Sequence, residues 1–454
     1  MSDYQKQPHD LDVAIVGGGI VGVVIALGLL HHGMRVHIFE QASDFHEIGA
    51  GLAFTGVSRE CMRQLNPAIL DALGRISNKN RHPYYRYWDG YNKAPSAREK
   101  PLFELSMDGM DFWACLRTDL LKEMAAELPA GVATFDKQLA DYEDGENGET
   151  KAAVDFPCVR SPLILAYAVV GCDGIKSRTR QVLLGARNPQ AYSSYSHKVA
   201  YRAVVPMSKG IDVLGEDKAN NQCLFMGPDA HVLTYPIANY TLVNVVIVVS
   251  DPSPWPENTH TTGTSDRTEV ENALIDWAPP VRNLLALLPD NLNKWALFDM
   301  ASNPASTYAL GRVCLAGDAA HASSPHHGAG ASMGMEDGLA LVKILDALRR
   351  KENRPMGADG GVGANPVPKS SINAALQAYN YVRLGRTQWV VNSSRETGDV
   401  YQWAYPASEH DARKCKAEIE KRTRIIWDFD VDKMVATART ELERRLICAH
   451  NYED

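Results

Sequence analysis

The chain has 454 residues, 45% of them hydrophobic and 22% charged, too many for one ordinary core and enough for two intimate domains. A formal net charge of −8 argues against a nucleic-acid partner, which would need a basic footprint. Met1 to Asp10 lacks the apolar core of a secretion signal, no stretch reaches the roughly 18 uncharged apolar residues of a bilayer span, and eight cysteines without a C-x-x-C pair fit neither a zinc site nor a disulfide framework. The expectation is a soluble cytoplasmic protein with buried thiols and no membrane partner; the oligomeric state is left open.

In chain order, Val13 to Val16 is a short apolar run that stops in glycines. Ile20 to Leu30 continues without a breaker, and Gly33 ends it before the alternating run Arg35 to Phe39. This pattern predicts a strand–helix–strand unit closing at Glu40. Leu116 to Leu128 reads as helix, and Ala152 to Phe156 and Leu163 to Val170 as strands, the last leading into Gly171-Cys-Asp-Gly174. Between Val199 and Val249, runs such as Ala200–Val205, His231–Tyr235 and Thr241–Val249 are separated by turn residues, which predicts an antiparallel sheet inserted into the α/β pattern. The pattern resumes with Arg312 to Ala316 and the helical run Met335 to Arg350. Arg354 to Ser370 is dense in proline and glycine and is expected to be a surface loop. Ile372 to Thr397 and Ala412 to Leu446 read as helices.

Gly17-x-Gly19-x-x-Gly22 has a physical reason at each glycine: the first makes the turn, the second lets backbone approach a pyrophosphate, the third lets helix pack on strand. The helix N-terminus then faces the phosphates. Glu40 can accept from both ribose hydroxyls and would repel a 2′-phosphate, so FAD or NAD suits the unit better than NADP. Downstream, Asp173-Gly174 and Gly317-Asp318 each end an apolar strand.

These three motifs in this order resemble the flavoprotein aromatic hydroxylases, the group of p-hydroxybenzoate and salicylate hydroxylases. The resemblance covers about Val13 to Ala347. It implies an α/β fold in which a Rossmann-like, glutathione-reductase-type FAD-binding domain (1–80, 105–185 and 296–350) is interrupted by an antiparallel β-sheet substrate domain (81–104 and 186–295). A loop (351–371) and a C-terminal helical region (372–454) complete the expected organisation. Asp318 is then expected at the ribityl and pyrophosphate region of FAD, and Arg117 at its phosphate and ribityl side. Gly328, Gly330 and Ala331 would open a helix toward the N1–C2=O edge of the isoalloxazine, with Pro325 along the ring. The Asp173 segment would serve both FAD and NAD(P)H. No second dinucleotide fingerprint exists, which agrees with NADPH or NADH visiting as a transient reductant.

The family's chemistry implies that reduced flavin and O2 give a C4a-hydroperoxyflavin, whose terminal oxygen is attacked by an electron-rich ring carbon. Arg202 and Tyr235, in otherwise apolar strands, resemble the arginine and tyrosine of fungal hydroxylases that dearomatise polyketide phenols in azaphilone, sorbicillinoid and tropolone pathways. There they would hold the substrate phenolate as the catalytic pair. A solvated strand arginine and a core tyrosine are the ordinary alternatives. His326 and His327 lack further ligands at metal-site spacing, so no metal is expected. Tyr379, Arg383 and Arg386 resemble a family helix motif that docks the C-terminal helices. Two other functions stay open: a salicylate-type decarboxylating hydroxylase, and a flavin-binding protein without oxygenase activity.

Overall fold

The computed structural model describes residues 12–45, 51–107, 112–144, 152–155, 164–256, 261–352 and 367–450. Asp12–Val16 is the middle of a six-stranded sheet, flanked by Arg35–Phe39 and Ala168–Gly171 in parallel. Val313–Leu315 and Ala133–Thr134 extend it in parallel, and Ala309–Leu310 closes one edge in antiparallel pairing. Val13 to Val16 are buried on both faces, as a central parallel strand requires. The helix Ile20–His31 is apolar on every side apart from its last residue, which is why most of it can lie buried between the sheet and the helix Gly330–Glu352.

An eight-stranded sheet forms the second layer, in the order Thr262–Asp266, Asn291–Asp299, Ser194–Pro206, Leu242–Ser250, Ala230–Ile237, Cys223–Gly227, Tyr84–Asp89, Phe103–Ser106. The expected antiparallel sheet needs one correction. Tyr84–Asp89 runs parallel to Cys223–Gly227, because it arrives from the earlier part of the chain and not through a hairpin. On the central strands the side chains alternate. Val199, Tyr201 and Val205 pack with Ala230, Val232, Val243 and Val245 in one core, and the intervening residues point to the opposite face.

Three further boundaries differ from expectation. The run predicted as one strand from Leu163 to Val170 splits into Ile164–Ala166, in a small separate sheet, and Ala168–Gly171. The helical stretch 412–446 is two helices, Ala412–Trp427 and Val431–His450, broken where the Asp430 carboxylate caps the second by accepting from the Lys433 amide at 2.8 Å. Most of the proline- and glycine-rich segment lies outside the described residues, and its last two members, Lys369 and Ser370, already belong to the long helix Lys369–Tyr401. Five of the cysteines are buried, Cys172 is half-buried and Cys448 is exposed, so the expectation of buried thiols fails for the last; Cys158 lies outside the described residues. Among the described residues no helix is long and apolar enough to cross a membrane.

Candidate active site

A cavity of about 790 Å³ runs from the first strand–helix turn to the inner face of the large sheet. Gly17, Gly19, Glu40, Arg117, Asp173, Arg202, Tyr235, Asp318, Pro325, Gly328, Gly330 and Ala331 all line it. Gly22 does not. A Cβ there would meet the carbonyl oxygen of Gly17 at 2.1 Å, so its task is the close packing of helix on turn. Gly17 has φ +104° and no room for a side chain, since a Cβ would lie 2.4 Å from the Cys172 carbonyl oxygen.

At this end, Glu40 accepts from the Gly18 amide (2.6 Å) and the Ala42 amide (2.8 Å), which sets its carboxylate at the rim of the turn. Asp173 is occupied by its own turn: it accepts from Ser177 Oγ (2.5 Å), Thr179 N (2.9 Å) and Thr179 Oγ1 (3.0 Å). Burial raises its carboxyl, and these bonds oppose the rise. The structure thus gives Asp173 a turn-shaping position on the cavity wall. Arg180, fully buried, donates to the carbonyls of Ala319 (3.1 Å) and Ala320 (2.6 Å) and braces the Gly317-Asp318 turn from behind.

That turn is held from a second side, where Glu336 and Asp337, which the sequence reading did not single out, meet the Tyr379, Arg383 and Arg386 motif. Asp337 accepts from Gly317 N (2.9 Å), His321 Nε2 (2.5 Å) and Arg383 Nε (2.7 Å). Burial alone would raise the Asp337 carboxyl, but the charges of His321 and Arg383 and these bonds bring it down to about 2. Arg383 also donates to Glu336 Oε2 at 2.6 Å, and Arg386 to both Glu336 oxygens at 2.6 and 2.8 Å. Tyr379 donates to the Leu315 carbonyl at 2.9 Å. The Tyr379, Arg383 and Arg386 motif therefore ties the long C-terminal helix to the turn, as its resemblance implied. Asp318 itself is exposed to the cavity, and its carboxylate takes no hydrogen bond from the described residues.

Pro325–His327 is one turn of 3-10 helix that Gly328 ends in the left-handed conformation, and Gly330 starts the next helix. Ser394 Oγ donates to the Ser324 carbonyl at 2.6 Å and pins this loop to the C-terminal helix.

Across the cavity, Arg202 and Tyr235 converge from neighbouring positions on the large sheet, whose strands pair in register through Leu242–Ser250. The Arg202 guanidinium lies 5.2 Å from the Trp295 ring centre, and its buried Nε has no hydrogen-bond partner. Burial lowers its pKa; the neighbouring Tyr235 opposes that and Arg117 adds to it. Burial pushes the Tyr235 phenol up to about 12, with Arg202 pulling the other way, so the hydroxyl keeps its proton at neutral pH. Gly51 makes room for this hydroxyl: a Cβ there would come within 2.4 Å of it. Apolar and aromatic side chains make up much of the wall here, from Leu224, Leu233, Val246 and Val248 on the sheet to Tyr401 and Trp427 on the C-terminal helices, with Gln222, His231, His326 and Thr423 among them.

The donor set fits a dinucleotide that ends in a flat ring: a helix N-terminus and a glycine turn at one end, an unpaired carboxylate midway, and open backbone at Gly328–Ala331 facing an apolar chamber. Such a site on this fold defines a flavin-dependent hydroxylase. The FAD binding domain family matches residues 10–357, and the chain belongs to it. An FAD-dependent monooxygenase of Aspergillus terreus is 46% identical over 96% of this chain and 98% of its own length. A salicylate hydroxylase of Sarocladium schorii is 43% identical, over 96% and 92%. Among solved structures, a salicylate hydroxylase substrate complex superposes with a TM-score of 0.79 at 28% identity, covering 95% of this chain and 98% of that one. The protein is an FAD-dependent aromatic-ring monooxygenase of the salicylate hydroxylase family, with fungal relatives, and this family draws its electrons from NADH or NADPH.

Proposed function

We propose that the chain hydroxylates a phenolic, polyketide-type ring at an ortho carbon that already bears a substituent, giving a dienone, and that Arg202 and Tyr235 hold the phenolate. The observation that carries this reading is a half-buried arginine whose buried Nε has no partner, beside a protonated tyrosine in one cavity. A buried cation without a counter-charge is costly, and an incoming phenolate supplies that charge. Arg202 lowers the phenol's pKa by ion pairing, Tyr235 donates to the same oxygen, and the aliphatic floor of Leu233, Val246 and Val248 keeps water from competing. Bound FAD supplies the activation of O2; the protein's part is to keep the ring ionised, oriented and dry.

Glu40, Gly17 and Gly19 would meet the adenosine and pyrophosphate end of FAD, Arg117 and Asp318 its middle, and Pro325 with Gly328, Gly330 and Ala331 the ring. Asp318→Ala is expected to weaken FAD retention by about tenfold to a hundredfold, the worth of a lost charged hydrogen bond. Flavin absorbance per protein after gel filtration measures it, and unchanged flavin content would remove Asp318 from the cofactor site.

A salicylate-type decarboxylating reaction is the second reading, favoured by the two salicylate hydroxylases among the relatives. Product analysis with an ortho-alkylated hydroxybenzaldehyde and with salicylate separates the two. A dienone from the first supports the proposal; catechol and CO2 from the second, with no dienone from the first, overturns it.

A further inference from the structure

His231 and His326 reach the same end of the cavity from different elements, one on the strand Ala230–Ile237 and the other in the 3-10 turn before the helix Gly330–Glu352. Their ring centres are 5.2 Å apart, and both face the Tyr401 ring, at 5.3 and 6.4 Å. Each ring is buried, yet each keeps one nitrogen without a partner: Nδ1 of His231 and Nε2 of His326. The other nitrogen of His326 lies 2.9 Å from Ser324 Oγ. A polar atom left unpaired inside a protein costs free energy, and here two rings that carry such atoms line the same cavity.

His231 also shares a strand face with Tyr235, with Leu233 between them. At a strand rise of about 3.3 Å per residue, their Cα atoms are about 13 Å apart. That span suits an aromatic ring with an oxygen at each end. We propose that His231 and His326 form a second polar anchor in the substrate cavity, which takes an uncharged carbonyl or hydroxyl oxygen at the end of the substrate remote from its phenolate. The inference rests on the reading that Arg202 and Tyr235 hold the phenolate.

The neutrality of that oxygen follows from what surrounds the pair. Burial and the nearby Lys198 hold His231 down at about 3, and burial with His231, Lys198 and His327 takes His326 well below its usual value, so both rings are uncharged at neutral pH. Lys198 is committed elsewhere, paired with Asp399 at 2.9 Å and bonded to Gln402. Among the described residues a carboxylate at this end would therefore meet no free cation, whereas a carbonyl or hydroxyl can trade one hydrogen bond with an imidazole.

The test uses the FAD-loaded protein and two phenols of nearly equal shape, 4-acetyl-2-methylphenol and 4-ethyl-2-methylphenol, with Kd read from the perturbation of flavin absorbance. His231→Leu is expected to weaken the acetyl compound about tenfold and to leave the ethyl compound unchanged, and His231→Gln, which keeps a donor and an acceptor, to recover most of the loss. Equal effects on both phenols, or no effect on either, would overturn the second anchor. If the leucine variant fails to accumulate as a flavoprotein, His231→Phe refills the space against Tyr401 and is read in the same way. Arg202→Ala serves as the control: it should weaken both phenols alike. Should it leave both unchanged, the phenolate reading fails, independently of what the His231 variants do.

Discussion

Arg202→Ala is expected to lower hydroxylation at least a hundredfold while the purified protein stays yellow. The magnitude is that of removing one preorganised donor from a site where charge is held away from water. The split between activity and cofactor follows from position. Arg202 sits in the strand Ser194–Pro206 of the large sheet, whereas the turns that would meet FAD belong to the parallel sheet and the loops after it. Arg202→Lys restores the charge without the planar fork and should recover only part of the rate. Steady-state NAD(P)H oxidation with product quantitation, beside the flavin-to-protein ratio, measures both halves. Near-wild-type turnover in the alanine variant would take Arg202 out of the substrate site, and loss of FAD would assign it to the cofactor.

The second large effect concerns stability. Arg383→Leu should destabilise the protein by about 3–5 kcal/mol, because it leaves two fully buried carboxylates, Glu336 and Asp337, without their shared guanidinium. For a chain of this size that is a fall in Tm of about 3–5 °C. The loss should not stay at the helix interface, since Asp337 also accepts from the Gly317 amide and so fixes the turn that presents Asp318. Faster FAD release is therefore expected together with the lower Tm. Differential scanning fluorimetry and flavin fluorescence read the two, and a variant that melts as the wild type does would show the carboxylates to be adequately served by His321 and Arg386 alone.

The glycine turn, Glu40 and the strand–helix–strand unit were legible because their causes are local: a run of apolar residues, three small residues at fixed spacing, and a carboxylate at the next strand end all lie within Val13 to Glu40. Arg202 and Tyr235 were visible as candidates only through resemblance, since alternation explains their neighbours and says nothing about which face meets a ring. The same alternation could have drawn in His231, two strand steps from Tyr235 on one face. The Asp337–Arg383 tie was not legible: the pair is 46 positions apart, and its energy depends on two helices meeting with both groups dry. The parallel joint between Tyr84–Asp89 and Cys223–Gly227 escaped for a similar reason, because strand direction in a sheet is set by how distant chain segments meet.

The missing side chain at Gly51 acts as a gauge between two layers. Gly51 pairs with Leu116 in a small sheet, directly before Arg117, and its bare Cα abuts the hydroxyl of Tyr235 from the large one. The gap between the flavin side and the phenol side of the cavity is thereby fixed by the absence of one methyl group. On the proposed reading of Tyr235 as a holder of the phenolate, residue 51 sets where the substrate's oxygen can sit, and a larger residue there is expected to change which carbon is presented before it changes whether the ring binds.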